Sequence, residues 1–135
     1  MSADDHRPFA AQGLVWVVED GGRLIGFATC EAFEHELHLW ELAVRHEVQG
    51  KGVGRALIAA IADEARARRL PAVTLTTFRD IPWNAPFYAR CGFVELGVDE
   101  LGPFLALVRA KEVEIGLDVA NRCAMRLALS RRGGA

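Results

Sequence analysis

The sequence is poor in the residues on which several large classes of protein depend. Cysteine occurs three times in 135 residues, at Cys30, Cys91 and Cys123. The wide spacing and odd number fit reduced, buried thiols and exclude a disulfide framework. Serine is nearly absent: Ser2 and Ser130 stand near the two ends, so no serine nucleophile is held on a rigid elbow. The longest uninterrupted aliphatic run, Ala56 to Ala62, falls far short of the ~20 apolar residues of a membrane span. The polar stretch Met1 to Arg7 lacks the apolar segment of a secretory signal. No membrane contact is therefore expected, and the location is read as cytoplasmic. An excess of positive charge is also missing. Sixteen Lys and Arg stand against 18 Asp and Glu, for a net charge of −2, which leaves no basic field for a nucleic-acid partner. Of the four histidines, His35 and His38 come nearest to metal-ligand spacing. An offset of three around a strand start points their side chains to opposite faces, so no metal is expected.

What is present is an ordinary globular composition, 51% hydrophobic and 25% charged. A chain of this length removes roughly two-thirds of its unfolded surface from water, enough for a core without disulfides or structural metal. With no repeat and no low-complexity stretch, residues 1–135 read as one domain, loose at 1–12 and 131–135. Leu14 to Glu19 and Arg23 to Phe33, rich in branched and aromatic residues, flank Asp20-Gly21-Gly22 and predict a hairpin. A short turn at Glu34 to Glu36 leads to a third strand, Leu37 to Val44. From Val53 to Arg69 the period changes: Val53, Leu57, Ile58 and Ile61 recur at three and four, and arginines gather at the end, as a helix prefers. Pro71 precedes a strand at Ala72 to Phe78, and strand–helix–strand implies a parallel pair. A short helix Asn84 to Arg90, a strand Phe93 to Leu96, a helix Phe104 to Ile115 closed by Gly116, and a last strand Arg122 to Leu129 complete a mixed α/β chain.

The segment between the third strand and the long helix carries the chemistry. In Gln49-Gly50-Lys51-Gly52-Val53-Gly54-Arg55, alternate glycines strip side chains from a helix entrance. Unpaired amides and the positive end of the helix dipole then face outward, with Lys51 and Arg55 adding charge: an arrangement suited to phosphate. It is no Walker loop, since Gly-Lys-Ser/Thr is missing, and Leu57 stands where a dinucleotide fingerprint needs its third glycine. Glycines that serve only a tight turn would give the same local pattern.

Context separates the two readings. Gln-x-x-Gly-x-Gly directly after a strand ending Leu42-Ala43-Val44 resembles the coenzyme A signature of the GNAT superfamily of N-acetyltransferases. Asn84-Ala85-Pro86-Phe87-Tyr88-Ala89-Arg90-Cys91-Gly92-Phe93 is similar to that family's second hallmark, an aromatic pair on a short helix closed by Gly-Phe. The resemblance covers residues 14 to 129. It implies a mixed, mostly antiparallel sheet with one splayed parallel strand pair, flanked by helices, and acetyl-CoA as co-substrate without metal. It implies further that Leu42, Ala43 and Val44 meet the pantetheine arm and Gln49, Gly50, Lys51, Gly52, Val53, Gly54 and Arg55 the diphosphate. Asn84, Phe87 and Tyr88 would line the thioester end, with Tyr88 as proton donor to the departing thiolate. His38 and Glu41 are candidates for the base, and strand alternation places them on opposite faces.

The function so implied is acetyl transfer from acetyl-CoA to a primary amine of a small molecule or protein, by direct attack. The alternative is an acyl-CoA-binding sensor or partner subunit without a complete acceptor site. Asp99, Glu100, Glu112, Glu114 and Asp118 either attract a cationic acceptor or form a solvated face, and Trp40 and Trp83 either shape a pocket or pack. Family members carry a strand and one or two helices before the strand matching Leu14 to Glu19, where this sequence has about 13 residues. That difference suggests a late start or a minimal form. It also leaves Leu14 to Val18 at a sheet edge, from which a homodimer is expected.

Overall fold

Segments of period two become strands here and the long segment of period 3.6 becomes a helix, because each presents one continuous apolar face only in that conformation. The computed structural model describes residues 2–7 and 13–129, and the chain divides into two compact units, residues 1–73 with 128–135 and residues 74–127. The first unit holds an antiparallel run of four strands, β1 (Ser2–Arg7), β2 (Gly13–Asp20), β3 (Arg23–Ala32) and β4 (Leu37–Val44), and helix α1 (Val53–Ala67). The second holds α2 (Ala85–Arg90), β6 (Val94–Leu96), α3 (Gly102–Glu114) and all but the ends of β5 (Ala72–Phe78) and β7 (Arg122–Ala128). In it β7 lies between β5 and β6. Among the described residues no helix is long and apolar enough to cross a membrane.

One element was not legible. Residues 1–12 are expected to be loose, yet Ser2–Arg7 pairs with β2, with Asp5 opposite Val17 and Arg7 opposite Val15. Its sequence, Ser-Ala-Asp-Asp-His-Arg, has no apolar alternation to betray it; a strand added at a sheet edge is held by backbone bonds and needs none. The consequence is that β2 is not an edge, and the expected homodimer loses the ground on which it was inferred. The tail 131–135 lies outside the described residues.

In the first unit the register fixes which side chains share a face, because residues directly opposite in an antiparallel pair point the same way. Leu14, Trp16 and Val18 oppose Cys30, Ala28 and Gly26, all on the face toward α1 and all buried. From α1 come Val53, Leu57, Ile58, Ile61, Ala62 and Ala65, the buried stripe of an amphipathic helix. Each fully buried Leu or Ile stabilises this layer by about 1.5–3 kcal/mol. Burial pushes the Cys30 thiol far above its ordinary range, as expected of an inert core cysteine. The opposite face, with Val15, Val17, Phe27, Thr29, Glu31 and Ala43, is half-buried.

The second unit has its own small core, Leu101, Leu105 and Ala124, with Leu96 and Phe104 against it. Because Ala124 enters this cluster, β7 is buried at Cys123, Ala124 and Met125 in succession, with Arg126 and Leu127 half-buried after them. Beside it lies a buried ionic network. Glu112 on α3 accepts from Arg109 (2.6 Å), from the Thr76 hydroxyl (2.6 Å) and from Arg122 (3.3 Å), and the Arg122 guanidinium stands 5.0 Å from the Phe78 ring centroid.

Candidate functional site

The route from β4 to α1 is built from tight turns. Arg45 leads into one turn of 3-10 helix, His46–Val48, and the chain then passes Gly50 (φ 83°) and Gly52 (φ 88°) before α1 begins. Both angles lie in the left-handed region, where a residue with a Cβ is strained. A Cβ on either glycine would meet nothing within 4 Å, so open space fronts the loop. The first bond of α1 is Ala56 N to Gly52 O, at 3.0 Å. The amides of Val53, Gly54 and Arg55 therefore have no partner within the helix and lie at the positive end of its dipole.

Two of the amides expected to face a ligand are turned inward. Gln49 N donates to His46 O (3.2 Å) and Lys51 N to Val48 O (3.3 Å), completing the 3-10 turn, while the Gln49 side chain donates to Val44 O (3.2 Å). Of the amides from Gln49 to Arg55 expected to meet the diphosphate, those of Gln49 and Lys51 are thus already engaged. The loop is tied down behind. Glu47 accepts from Arg23 at 2.6 Å and lies 3.7 Å from Arg45, whose Nε donates to Leu24 O at 2.8 Å. A bond to backbone and the Arg23 guanidinium hold the Glu47 carboxyl below its usual range.

One hydrogen bond shows which β4 backbone groups face β3. Arg45 N donates to Ile25 O (2.8 Å), which makes Val44 and Gly26 a non-hydrogen-bonded pair. Alternation makes Leu42 and Ala28 another, so the N–H and C=O groups of Leu42 and Val44 point away from β3. Ala43 departs from expectation. It belongs to the hydrogen-bonded pair with Phe27, and its backbone is spent on β3.

His38 and Glu41 do not take the opposite faces that strand alternation assigns them. Thr29 opposes Glu41 and Cys30 opposes Leu39, so Trp40 is an extra residue, a β-bulge. Below it Glu31 opposes His38. Glu31 and Thr29 share a face, and therefore His38 and Glu41 share it too; simple alternation fails because the bulge inserts one residue. Trp40, 48% exposed, donates its indole N–H to Glu31 Oε1 (3.0 Å), and its ring centroid lies 4.4 Å from that of His38 at 72°. Glu41 is exposed, whereas His38 is 1% exposed, and burial lowers its pKa to about 4. An imidazole so placed is neutral at pH 7 and a poor base, which counts against His38 as the candidate base.

The same burial makes folding pH-dependent. Between pH 6.5 and about 4 the unfolded chain binds a proton at His38 that the folded protein does not, so stability falls as pH falls through that window. Urea unfolding is expected to show a loss of about 2 kcal/mol from this group between pH 7 and 5. The corresponding slope should largely vanish in His38→Gln; an undiminished slope there would assign it to other groups.

In the second unit, α2 presents the aromatic pair. Pro86 occupies its first turn and Asn84 its N-cap, accepting Tyr88 N at Asn84 O (3.0 Å). Tyr88 is 7% exposed, its ring edge-on to Phe87 (5.2 Å) and Phe93 (5.6 Å). Gly92, at φ 103°, turns the chain out of the helix, and Phe93 N bonds back to Tyr88 O (3.0 Å). Four of the five acidic residues around α3 are engaged locally: Glu112 in the buried network, Glu114 with Lys111, Asp118 with Asn121 and Glu100 with the amide of Gly97. Among the described residues no group of three or more His, Cys, Asp or Glu is placed to hold a metal ion.

Comparison with known proteins matches residues 11–95 to the family of the acetyltransferase (GNAT) domain. Solved structures share the fold. A Bacillus anthracis protein described as a streptothricin acetyltransferase, in complex with acetyl coenzyme A, superposes with TM-score 0.70 at 19% identity, covering 90% of this chain and 65% of its own. For N-acetylglutamate synthase from Neisseria gonorrhoeae, complexed with coenzyme A and N-acetyl-glutamate, the values are 0.71 and 24%, over 87% and 26%. For the ribosomal-protein-S18-alanine N-acetyltransferase from Escherichia coli they are 0.67 and 20%, over 92% and 74%. The chain thus spans less than two-thirds of the first two. The shared architecture is a mixed, mostly antiparallel sheet with one parallel strand pair and flanking helices.

Proposed function

Since the chain belongs to the GNAT acetyltransferase domain family, we infer that it moves an acetyl group from acetyl-CoA to a primary amine, on a small molecule or a protein, by direct attack. The observation that carries this reading is the entrance of α1, where two left-handed glycines face open space beside helix amides without intrahelical partners. A diphosphate suits that cradle: the donors are backbone groups already fixed, the dipole favours the charge, and no side chain fills the space.

The co-substrate supplies an activated acyl group on a thiol that can depart as thiolate. The protein's part is to bind, orient and move protons. Amides of Gly50, Gly52, Val53, Gly54 and Arg55 hold the diphosphate, with the Lys51 and Arg55 side chains adding charge. Leu42 offers an N–H and a C=O, and Val44 an N–H, to the amides of the pantetheine arm, while the Val44 carbonyl already accepts from the Gln49 side chain. Asn84 and Phe87 line the thioester end, and Tyr88 holds at Oη the proton that the thiolate takes. An amine of pKa near 10 is mostly protonated at pH 7 and must lose a proton before it attacks. Glu41, exposed on β4, takes that proton through water. His38, neutral and enclosed, shapes the same face.

The test is release of free thiol from acetyl-CoA with a panel of small amines and peptides. Amine-dependent release is expected. Thermal stabilisation by acetyl-CoA without such release favours a sensor; the half-covered sheet face around Glu41, where an acceptor would need walls, is the feature that keeps this second reading. A thermal midpoint unmoved by millimolar acetyl-CoA would overturn both, since ligand at 1,000 times its dissociation constant adds about 4 kcal/mol. With β1 laid along β2, no oligomeric state is part of the proposal.

A further inference from the structure

One residue outside the phosphate-binding loop is placed to decide where that loop points. Gly26 lies in the middle of β3, where glycine weakens a strand and is kept only for a reason. Its φ is not in the left-handed region, so backbone conformation does not require it. Space does. A Cβ built there would stand 2.9 Å from Val53 Cγ1, 3.2 Å from Ala43 O and 3.5 Å from Leu57 Cδ1. The first distance is one that real Cβ atoms essentially never show.

Each neighbour stands on an element that carries the proposed site, Val53 and Leu57 on α1 and Ala43 on β4. Val53 is the first residue of α1, 2% exposed, and its own amide has no partner within the helix. Leu57 is the next buried position along the same helix face. Ala43 lies between Leu42 and Val44, and Val44 is the residue directly opposite Gly26. The absent side chain therefore lets the first turn of α1 come down onto the sheet beside the end of β4. Valine in a helix holds essentially one χ1 rotamer, so Cγ1 cannot swing aside, and the Ala43 carbonyl is held by the β3 pairing. Behind the loop, the Arg23–Glu47–Arg45 ties restrain the other direction of escape.

We propose that Gly26 is a positioning residue for diphosphate binding: by admitting α1 to direct contact with β3, it sets the height of the amides of Val53, Gly54 and Arg55 against the backbone of β4. The inference rests on the function proposed above. A methyl group at position 26 lifts the helix entrance by a few tenths of an ångström. Several charge-assisted bonds to one anion then lengthen together, because their donors ride on one rigid turn.

The experiment measures the dissociation constant for CoA by calorimetry and single-turnover acetyl transfer at saturating acetyl-CoA. It uses the wild type, Gly26→Ala, and Gly26→Ala combined with Val53→Ala. The second change removes the clashing methyl and keeps the amide. Gly26→Ala is expected to raise the dissociation constant roughly tenfold and to leave the saturated rate within about twofold, and the double variant should recover most of the lost affinity. A structural role alone would lower thermal stability without that split between binding and rate. Unchanged CoA affinity in a folded Gly26→Ala overturns the proposal, and so does a folded double variant that binds as weakly as the single one. If the single variant does not fold, the double variant decides on the same terms. If neither folds, the obstruction is the Ala43 carbonyl and not α1, which also overturns it. A wild type that binds no CoA would instead refute the functional reading on which all of this stands.

Discussion

Gly52→Val is expected to raise the dissociation constant for CoA by roughly a thousandfold, from the loss of two or so hydrogen bonds to a charged group at about 1.5–3 kcal/mol each. Two effects combine. Gly52 holds φ at 88°, where a β-branched residue is an outlier, so the loop must rearrange at the residue that caps α1. A side chain that did keep the conformation would project into the open space before the loop and occupy the seat of the anion. The core is not involved, since no atom lies within 4 Å of the new Cβ. The thermal midpoint should fall by about 4–10 °C, for a strain of about 1–3 kcal/mol. Calorimetry checks the affinity. Tight CoA binding by a folded Gly52→Val would mean that the diphosphate sits elsewhere.

Tyr88→Phe is expected to act on the other half of the reaction, lowering the single-turnover rate about a hundredfold, the lower range for loss of a positioned proton donor. CoA affinity should stay within about twofold of the wild type. The substitution is mild for the fold: the ring is 7% exposed and edge-on to Phe87 and Phe93, and phenylalanine preserves both contacts. A loss confined to the rate, with binding intact, marks an interaction made in the transition state. A single-turnover rate equal to the wild type would remove Tyr88 from the chemistry and leave it as packing.

How far the sequence led can be judged residue by residue. The period-two runs, the Val53 to Ala67 stripe and the Asp20-Gly21-Gly22 turn were legible because each is a local pattern, and Gly21 and Gly22 indeed take φ of 62° and 79°. The glycines of the loop were legible for the same reason. Which amides they leave exposed was not, because that depends on the 3-10 turn at His46–Val48 consuming Gln49 N and Lys51 N. The faces of His38 and Glu41 were misread because a bulge at Trp40 is a matter of how β4 pairs with β3, and nothing in Leu-His-Leu-Trp-Glu-Leu announces it. The burial that depresses the basicity of His38 is likewise a property of the assembled sheet. Strand β1 escaped because edge pairing asks little of side chains. Gly26 did carry a signal, a lone glycine inside an otherwise branched and aromatic strand, and that signal was available from the start.

The most direct measurement is a titration of the isotope-labelled protein with CoA, following backbone amide resonances. The account predicts that Gly50, Gly52, Val53, Gly54 and Arg55 shift together and saturate with one dissociation constant. CoA that binds while these five stay unmoved would contradict it.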